Sequence, residues 1–277
     1  MEKYSVLMSL YRKEKTENLS SSIQSILAQS VPPDQVIIIK DGSITLELEK
    51  VLNEYVSVYP QLFTIIGYEE NRGLGYALNY GLKFSRNELV ARMDTDDYSL
   101  PTRCEKQLRM FESNPDLALL GGSVQFFKES PYKPLDQFRV FPVSNEAIQD
   151  CIRKNSAFSH PTVMFRKSAV DACGGYDTGL RRSQDHDLFT KMISEGYECQ
   201  NIKDVLLLYR MDDNAVLRNR NKESLKARVT IQKRLFERKQ CSALDYAYIQ
   251  SMVLIARVLP VKLYMWTYSI LKNDKVT

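Results

Sequence analysis

An apolar run rich in strand formers, Tyr4–Leu10, opens the chain, and a polar loop, Tyr11–Asn18, follows it. Leu19–Gln29 places Leu19, Ile23, Ile26 and Leu27 on one helical face, and Pro32-Pro33 closes that helix. Gln35–Lys40 (QVIIIK) reads as a fully buried strand. The spacing then predicts a helix over Leu46–Tyr59, a strand over Phe63–Tyr68, a helix over Gly75–Phe84 and a strand over Glu88–Met93. Such alternation implies a mostly parallel sheet with helices on both faces, whose ligands sit beyond the carboxyl ends of the strands. Farther on, Ala118–Phe127, Thr162–Arg166 and Val205–Arg210 read as strands, Asp185–Glu195 as a helix and Lys222–Lys239 as a basic helix. The expected division is one α/β domain over residues 1–213 and a basic, amphipathic helical extension over 214–277.

Composition narrows the class. Apolar residues make up 44% and charged residues 26% of the 277, an ordinary globular balance. The net charge of +4 is too small to imply nucleic acid, but Arg210 to Lys239 holds ten Lys or Arg against four Asp or Glu. Five cysteines without a CxxC pair give neither a zinc site nor a disulfide framework, and the expected compartment is the cytoplasm. The apolar stretch Met252–Ile270 is broken by Arg257, Pro260 and Lys262, which is poor material for a spanning helix.

Chemistry concentrates at strand ends. Met93-Asp94-Thr95-Asp96-Asp97 puts three carboxylates in four positions, and they repel unless something positive offsets them. Magnesium or manganese shared with diphosphate oxygens does so, the alternative being a solvated acidic turn. Asp41 ends a strand, where it can accept from a base or ribose or close an Asx turn. Asn71-Arg72-Gly73-Leu74-Gly75 opens a helix, with glycines that admit close approach and an arginine that can pair with phosphate. Arg182 to Phe189 sets Asp185 and Asp187 at a helix start. One carboxylate caps or faces inward, expected to be Asp187, and Asp185 is left to meet an acceptor hydroxyl. His160 precedes a strand, and with only two histidines a His-rich metal site is excluded.

In their order these segments resemble family 2 glycosyltransferases with the GT-A fold, in particular bacterial enzymes that build capsule or O-antigen chains. The resemblance runs from Tyr4 to Arg210 through SVLMSLYRKE, IIIKDGS, ENRGLGYALNYGL, ARMDTDDYSLPTR, SHPTVMFRKSAVDACGGYD, QDHDLF and LLYRM. It implies that Ser9, Leu10, Tyr11 and Glu17 border a nucleoside pocket, that Asp41 binds the base, and that Arg72 and Gly73 line the diphosphate and ribose region. Asp94, Thr95 and Asp96 match the family's Asp-x-Asp segment, with Asp96 as the direct ligand of a divalent Mn2+ or Mg2+. Asp185 matches the catalytic base, and His160, Gly175 and Tyr176 the acceptor side. Two departures stand out. Gln184 replaces the usual Glu before the base, and where many members carry a late metal-binding His, Asp212 is the expected substitute as an oxygen ligand of the metal.

The resemblance implies an inverting transfer of a sugar from a nucleoside diphosphate donor, UDP by family frequency, to a saccharide or lipid-linked saccharide. The C-terminal extension suits peripheral contact with anionic lipid at the inner face of the plasma membrane, or else packing on the domain or a homodimer contact. A catalytically inactive nucleotide-sugar-binding module is a rival, as is a nucleotidyltransferase, although Ser9 to Lys13 lacks the glycine loop the latter needs. No helix-turn-helix or base-stacking pattern supports a nucleic-acid partner.

Overall fold

The computed structural model describes all residues except 212–219, 262 and 264–277. Four strands, β1 (Tyr4–Leu10), β2 (Gln35–Asp41), β3 (Phe63–Tyr68) and β4 (Leu89–Met93), lie parallel in the order β3-β2-β1-β4. β8 (Met164–Arg166) runs antiparallel to β4 and then to β6 (Leu117–Phe127). β9 (Glu198–Arg210) lies parallel to β6, and the short β5 (Tyr98–Ser99) pairs antiparallel with β9 at the end of the path. β7 (Phe138–Arg139) pairs with β6 off this path. The mostly parallel half and its flanking helices have the arrangement that the GT-A resemblance implies.

The period-2 alternation of the central strands builds two cores. Val6, Met8 and Leu10 of β1 pack with α1 (Thr16–Leu27), α2 (Leu46–Val58) and α4 (Arg103–Ser113) through Leu19, Ile23, Leu48, Leu52, Leu108 and Phe111. Leu7, Ile37 and Ile39 face the other way, onto α3 (Leu74–Leu82), α6 (Lys167–Ala172) and α7 (Gln184–Ser194). Each such side chain stabilises the fold by roughly 1.5–3 kcal/mol when fully buried. α5 (Asn145–Ile152) joins the second core through Ile148 and Ile152.

Observed and expected elements differ in length and number. β9 spans 13 residues and begins at Glu198, seven residues before the expected strand; its first seven residues are mostly polar and form no apolar run. The expected strand Thr162–Arg166 is a 3-10 turn, His160–Thr162, followed by the three residues of β8.

The C-terminal extension packs on the rest of the chain. Ala227, Ile231 and Leu235 of α8 (Lys222–Glu237) enclose Leu180, and Leu225 meets Ile249, Val253 and Ala256 of α9 (Ala243–Val258). Among the described residues, no helix is long and apolar enough to cross a membrane. The boundary at residue 214 and much of the Met252–Ile270 stretch lie outside the described residues.

Candidate active site

The parallel strands end together, so residues far apart in sequence meet along one edge. At the end of β2 the Asp41 carboxylate is almost fully buried and holds the loop that opens α3. One oxygen accepts from the Tyr68 hydroxyl and the Arg72 backbone N–H, both at 2.8 Å. The other accepts from Asn71 Nδ2 at 2.9 Å and from the Gly73 N–H at 3.0 Å. The loop depends on glycine: Gly42 and Gly73 have φ of +87° and +90°, and a Cβ on Gly42 would lie 2.8 Å from the Asn71 nitrogen. Arg72 is exposed, donates to the Tyr76 hydroxyl at 2.6 Å and lies over that ring. Asp41 is therefore the anchor of the Asn71–Gly73 loop, the local role that an Asx turn would give it, and little of its acceptor capacity is left for a base.

At the end of β4 one carboxylate oxygen from each of Asp94, Asp96 and Asp97 lies within 4.8 Å of the others. Burial, then Asp94 and Glu14, push the Asp96 carboxyl up to about 7. Burial, then Asp96 and Asp94, raise the Asp97 carboxyl as well. One Asp97 oxygen accepts from the Arg210 N–H at 2.8 Å, while the other is buried without a hydrogen-bond partner among the described residues. Carboxylates crowded this way are short of positive charge, and hard oxygen donors with an orphaned lone pair fit a divalent cation. Asp212, the further expected ligand, lies outside the described residues.

Several neighbours of this cluster carry no sequence signal of their own. Glu14 accepts from Thr95 Oγ1 at 2.8 Å and from Asn18 Nδ2 at 3.0 Å, which brings the loop after β1 against the acidic segment. Glu17, expected to border the pocket, is instead exposed on the first turn of α1, and the Leu10 side chain is buried in the first core. Ser9 is partly buried at the end of β1, and Tyr11 is 45% exposed just beyond it. Arg92 is fully buried and paired with Asp94, and its Nε and Nη1 find no partner among the described residues. A buried arginine inside a strand is legible only as an exception to an apolar run.

The acceptor-side candidates gather around Tyr176. Its N–H donates to Asn79 Oδ1 and its carbonyl accepts from Asn79 Nδ2, each at 2.8 Å, which fixes the Gly174–Tyr176 turn to α3. Its hydroxyl lies 3.0 Å from His160 Nε2. Burial raises the Tyr176 phenol, Arg92 opposes that, and both Asp185 and Asp94 add to it. Asp185 and Asp94 are thus the two carboxylates that bear on this phenol. Burial, then Arg92, hold His160 well below the usual histidine range, so it stays neutral.

α7 starts at Gln184 after Ser183, which sits at φ 57° in the left-handed region that few non-glycine residues adopt. Asp185 is half-buried on the first turn, and no hydrogen bond ties its carboxylate among the described residues. Asp187 points inward and is fully buried. Gln184 is buried too, and its Oε1 has no partner among the described residues.

The family model described as Glycosyl transferase family 2 matches residues 5–174. The amylovoran biosynthesis glycosyltransferase AmsE of Erwinia amylovora is 34% identical over 96% of this chain and 97% of its own length. A UDP-Gal:alpha-D-GlcNAc-diphosphoundecaprenol beta-1,3-galactosyltransferase of Escherichia coli is 35% identical over 78% of this chain and 77% of its own. Among solved structures, S. aureus TarS 1–349 in complex with UDP-GlcNAc superposes with a TM-score of 0.66 at 15% identity, covering 91% of this chain and 70% of TarS 1–349. The mannosyltransferase PcManGT from Pyrobaculum calidifontis, in complex with GDP-Man and Mn2+, gives 0.62 at 14%, over 98% and 80%.

Proposed function

The chain belongs to glycosyl transferase family 2 and is a glycosyltransferase of polysaccharide synthesis; from that premise we propose that it transfers a sugar, with inversion, from a nucleoside diphosphate donor to a saccharide or lipid-linked saccharide. One observation carries the reading: three carboxylates crowd together after β4, with a buried Asp97 oxygen that has no hydrogen-bond partner among the described residues. UDP is the favoured nucleotide and a lipid diphosphate the favoured acceptor carrier, as in the Escherichia coli relative.

Asp185 takes the proton from the acceptor hydroxyl as that oxygen attacks the anomeric carbon. The bond from that carbon to the diphosphate breaks on the opposite face, and the diphosphate leaves with the electron pair. Asp96 and Asp94, with Asp97 beside them, would hold Mn2+ or Mg2+, which when bound offsets charge on the leaving group. Arg72 stands at the exposed rim of the Asp41 loop, where it meets the diphosphate. His160 orients the Tyr176 hydroxyl and, staying neutral, adds no charge to the acceptor side. Gly175 and Gln184 shape the wall around it.

The extension supports peripheral contact with anionic lipid. The outer face of α9 exposes Leu244, Tyr248, Ile255 and Val258, with Arg257 among them and Lys222, Lys226 and Lys233 exposed on α8. Nucleotide release from UDP-, GDP- and dTDP-sugars, with manganese or EDTA, tests the central reading. Manganese-dependent release from one donor supports it; silence across the panel with nucleotide still bound by thermal shift favours an inactive binding module, and silence without binding overturns the donor reading.

A further inference from the structure

The fully buried carboxylate of Asp187 is answered from outside the α/β domain. Arg234 Nη1 of α8 lies 2.8 Å from Asp187 Oδ1, and its Nη2 lies 2.7 Å from Asp177 Oδ2. Among the described residues the second Asp187 oxygen has only Lys191 Nζ, at 3.4 Å, and that ammonium also donates to the Gly175 carbonyl at 2.7 Å. Asp177 directly follows Tyr176, and Asp187 comes two residues after Asp185. One guanidinium therefore joins the turn that carries the central phenol to the helix start that carries the base. Its planar fork sets the spacing of two carboxylates in a way a point-charge ammonium cannot. α8 is itself held by Leu180 among Ala227, Ile231 and Leu235, so the fork projects from a packed helix.

We propose that Arg234 is a positioning residue: the C-terminal extension uses it to fix the Tyr176 turn and the Asp185 helix at their working separation. The kinetic part of this rests on the proposed glycosyl transfer; the structural part does not. The experiment compares the full-length wild type with R234M and D187N/R234M. R234M strands a buried carboxylate and breaks the link, so both thermal stability and turnover fall. D187N/R234M removes the stranded charge and leaves the link broken, so stability recovers and turnover does not.

With the sugar nucleotide that wild type consumes, kcat for nucleotide release should fall tenfold or more, since small misplacements of reacting groups cost up to about 100-fold. KM for that donor should stay within about twofold, because the Asp41 loop is untouched by either change. Amide hydrogen exchange across residues 174–187 should quicken in both variants. Recovery of kcat together with stability in the double variant would reduce Arg234 to charge compensation and overturn the proposal. Unchanged exchange across 174–187 would overturn it as well, and that readout stands even if wild type turns over no donor, a result that defeats the transfer reading alone.

Discussion

Replacing Asp41 by Asn separates two roles for one carboxylate. The substitution keeps the shape and exchanges one acceptor oxygen for an NH2 donor. If that donor takes the Oδ2 position, Asn71 Nδ2 and the Gly73 N–H, now 2.9 and 3.0 Å from Oδ2, face a donor instead of an acceptor. If it takes the other position, the Tyr68 hydroxyl and the Arg72 N–H, each at 2.8 Å, lose theirs. Either way two hydrogen bonds to a charged group go, each worth about 1.5–3 kcal/mol, so a net loss of about 3 kcal/mol is expected. For a domain of this size that lowers Tm by roughly 6–12 °C. Differential scanning fluorimetry of wild type and D41N without nucleotide measures it. The loop carries Arg72, so affinity for the nucleotide should also fall, by about tenfold or more for 1.4 kcal/mol of lost organisation. A D41N protein with wild-type Tm and weakened nucleotide binding would refute the loop-anchor reasoning and return Asp41 to direct contact with the base.

D185N should abolish transfer while leaving nucleotide affinity within about twofold, since the base acts only in the chemical step; loss of donor binding would remove Asp185 from that role. Manganese at about 100 times its dissociation constant should stabilise wild type by about 2.7 kcal/mol and D96N by clearly less, and equal Tm shifts would place the cation elsewhere. His160, buried near Arg92, refuses the proton that an unfolded histidine takes up below about pH 6.5. The folded state thus binds fewer protons there, so stability is full above that pH and falls as pH drops, by up to about 1.4 kcal/mol per unit. H160Q should flatten the decline in Tm between pH 7 and 5.5, and an unchanged slope would deny His160 its share.

The parallel half of the sheet was readable because its strands are buried on both faces and written as unbroken apolar runs, Gln35–Lys40 above all. Strand ends marked by Asp41 and Asp94 were readable for the same reason, since each carboxylate interrupts such a run. α4 was not read: only Cys104, Leu108 and Phe111 of its residues are buried hydrophobics, and Arg103, fully buried, reaches the Arg92 carbonyl in place of an apolar contact. Glu14 and Arg210 escaped because each acts on the acidic segment from loops and strands that come close only after folding. The Asp187–Arg234 pair spans 47 positions, and no local pattern announces it. That Asp187 faces inward was legible; what it faces was not.

The short pairing of β5 with β9 fixes when the acidic segment can take shape. Tyr98 and Ser99 are matched to Leu208 and Leu207, and Asp97 is held by the backbone N–H of Arg210. During synthesis the chain emerges from its N-terminus, so the four parallel strands can associate while these partners are still unmade. The residues after Met93 must wait for about 110 more before their last supports leave the ribosome. A fragment cut at residue 174, where the family match ends, would keep all three aspartates and lack the strand that arranges them. Assembly of the acidic segment is thereby tied to the synthesis of β9, and a product ended before that strand lacks the support that arranges it.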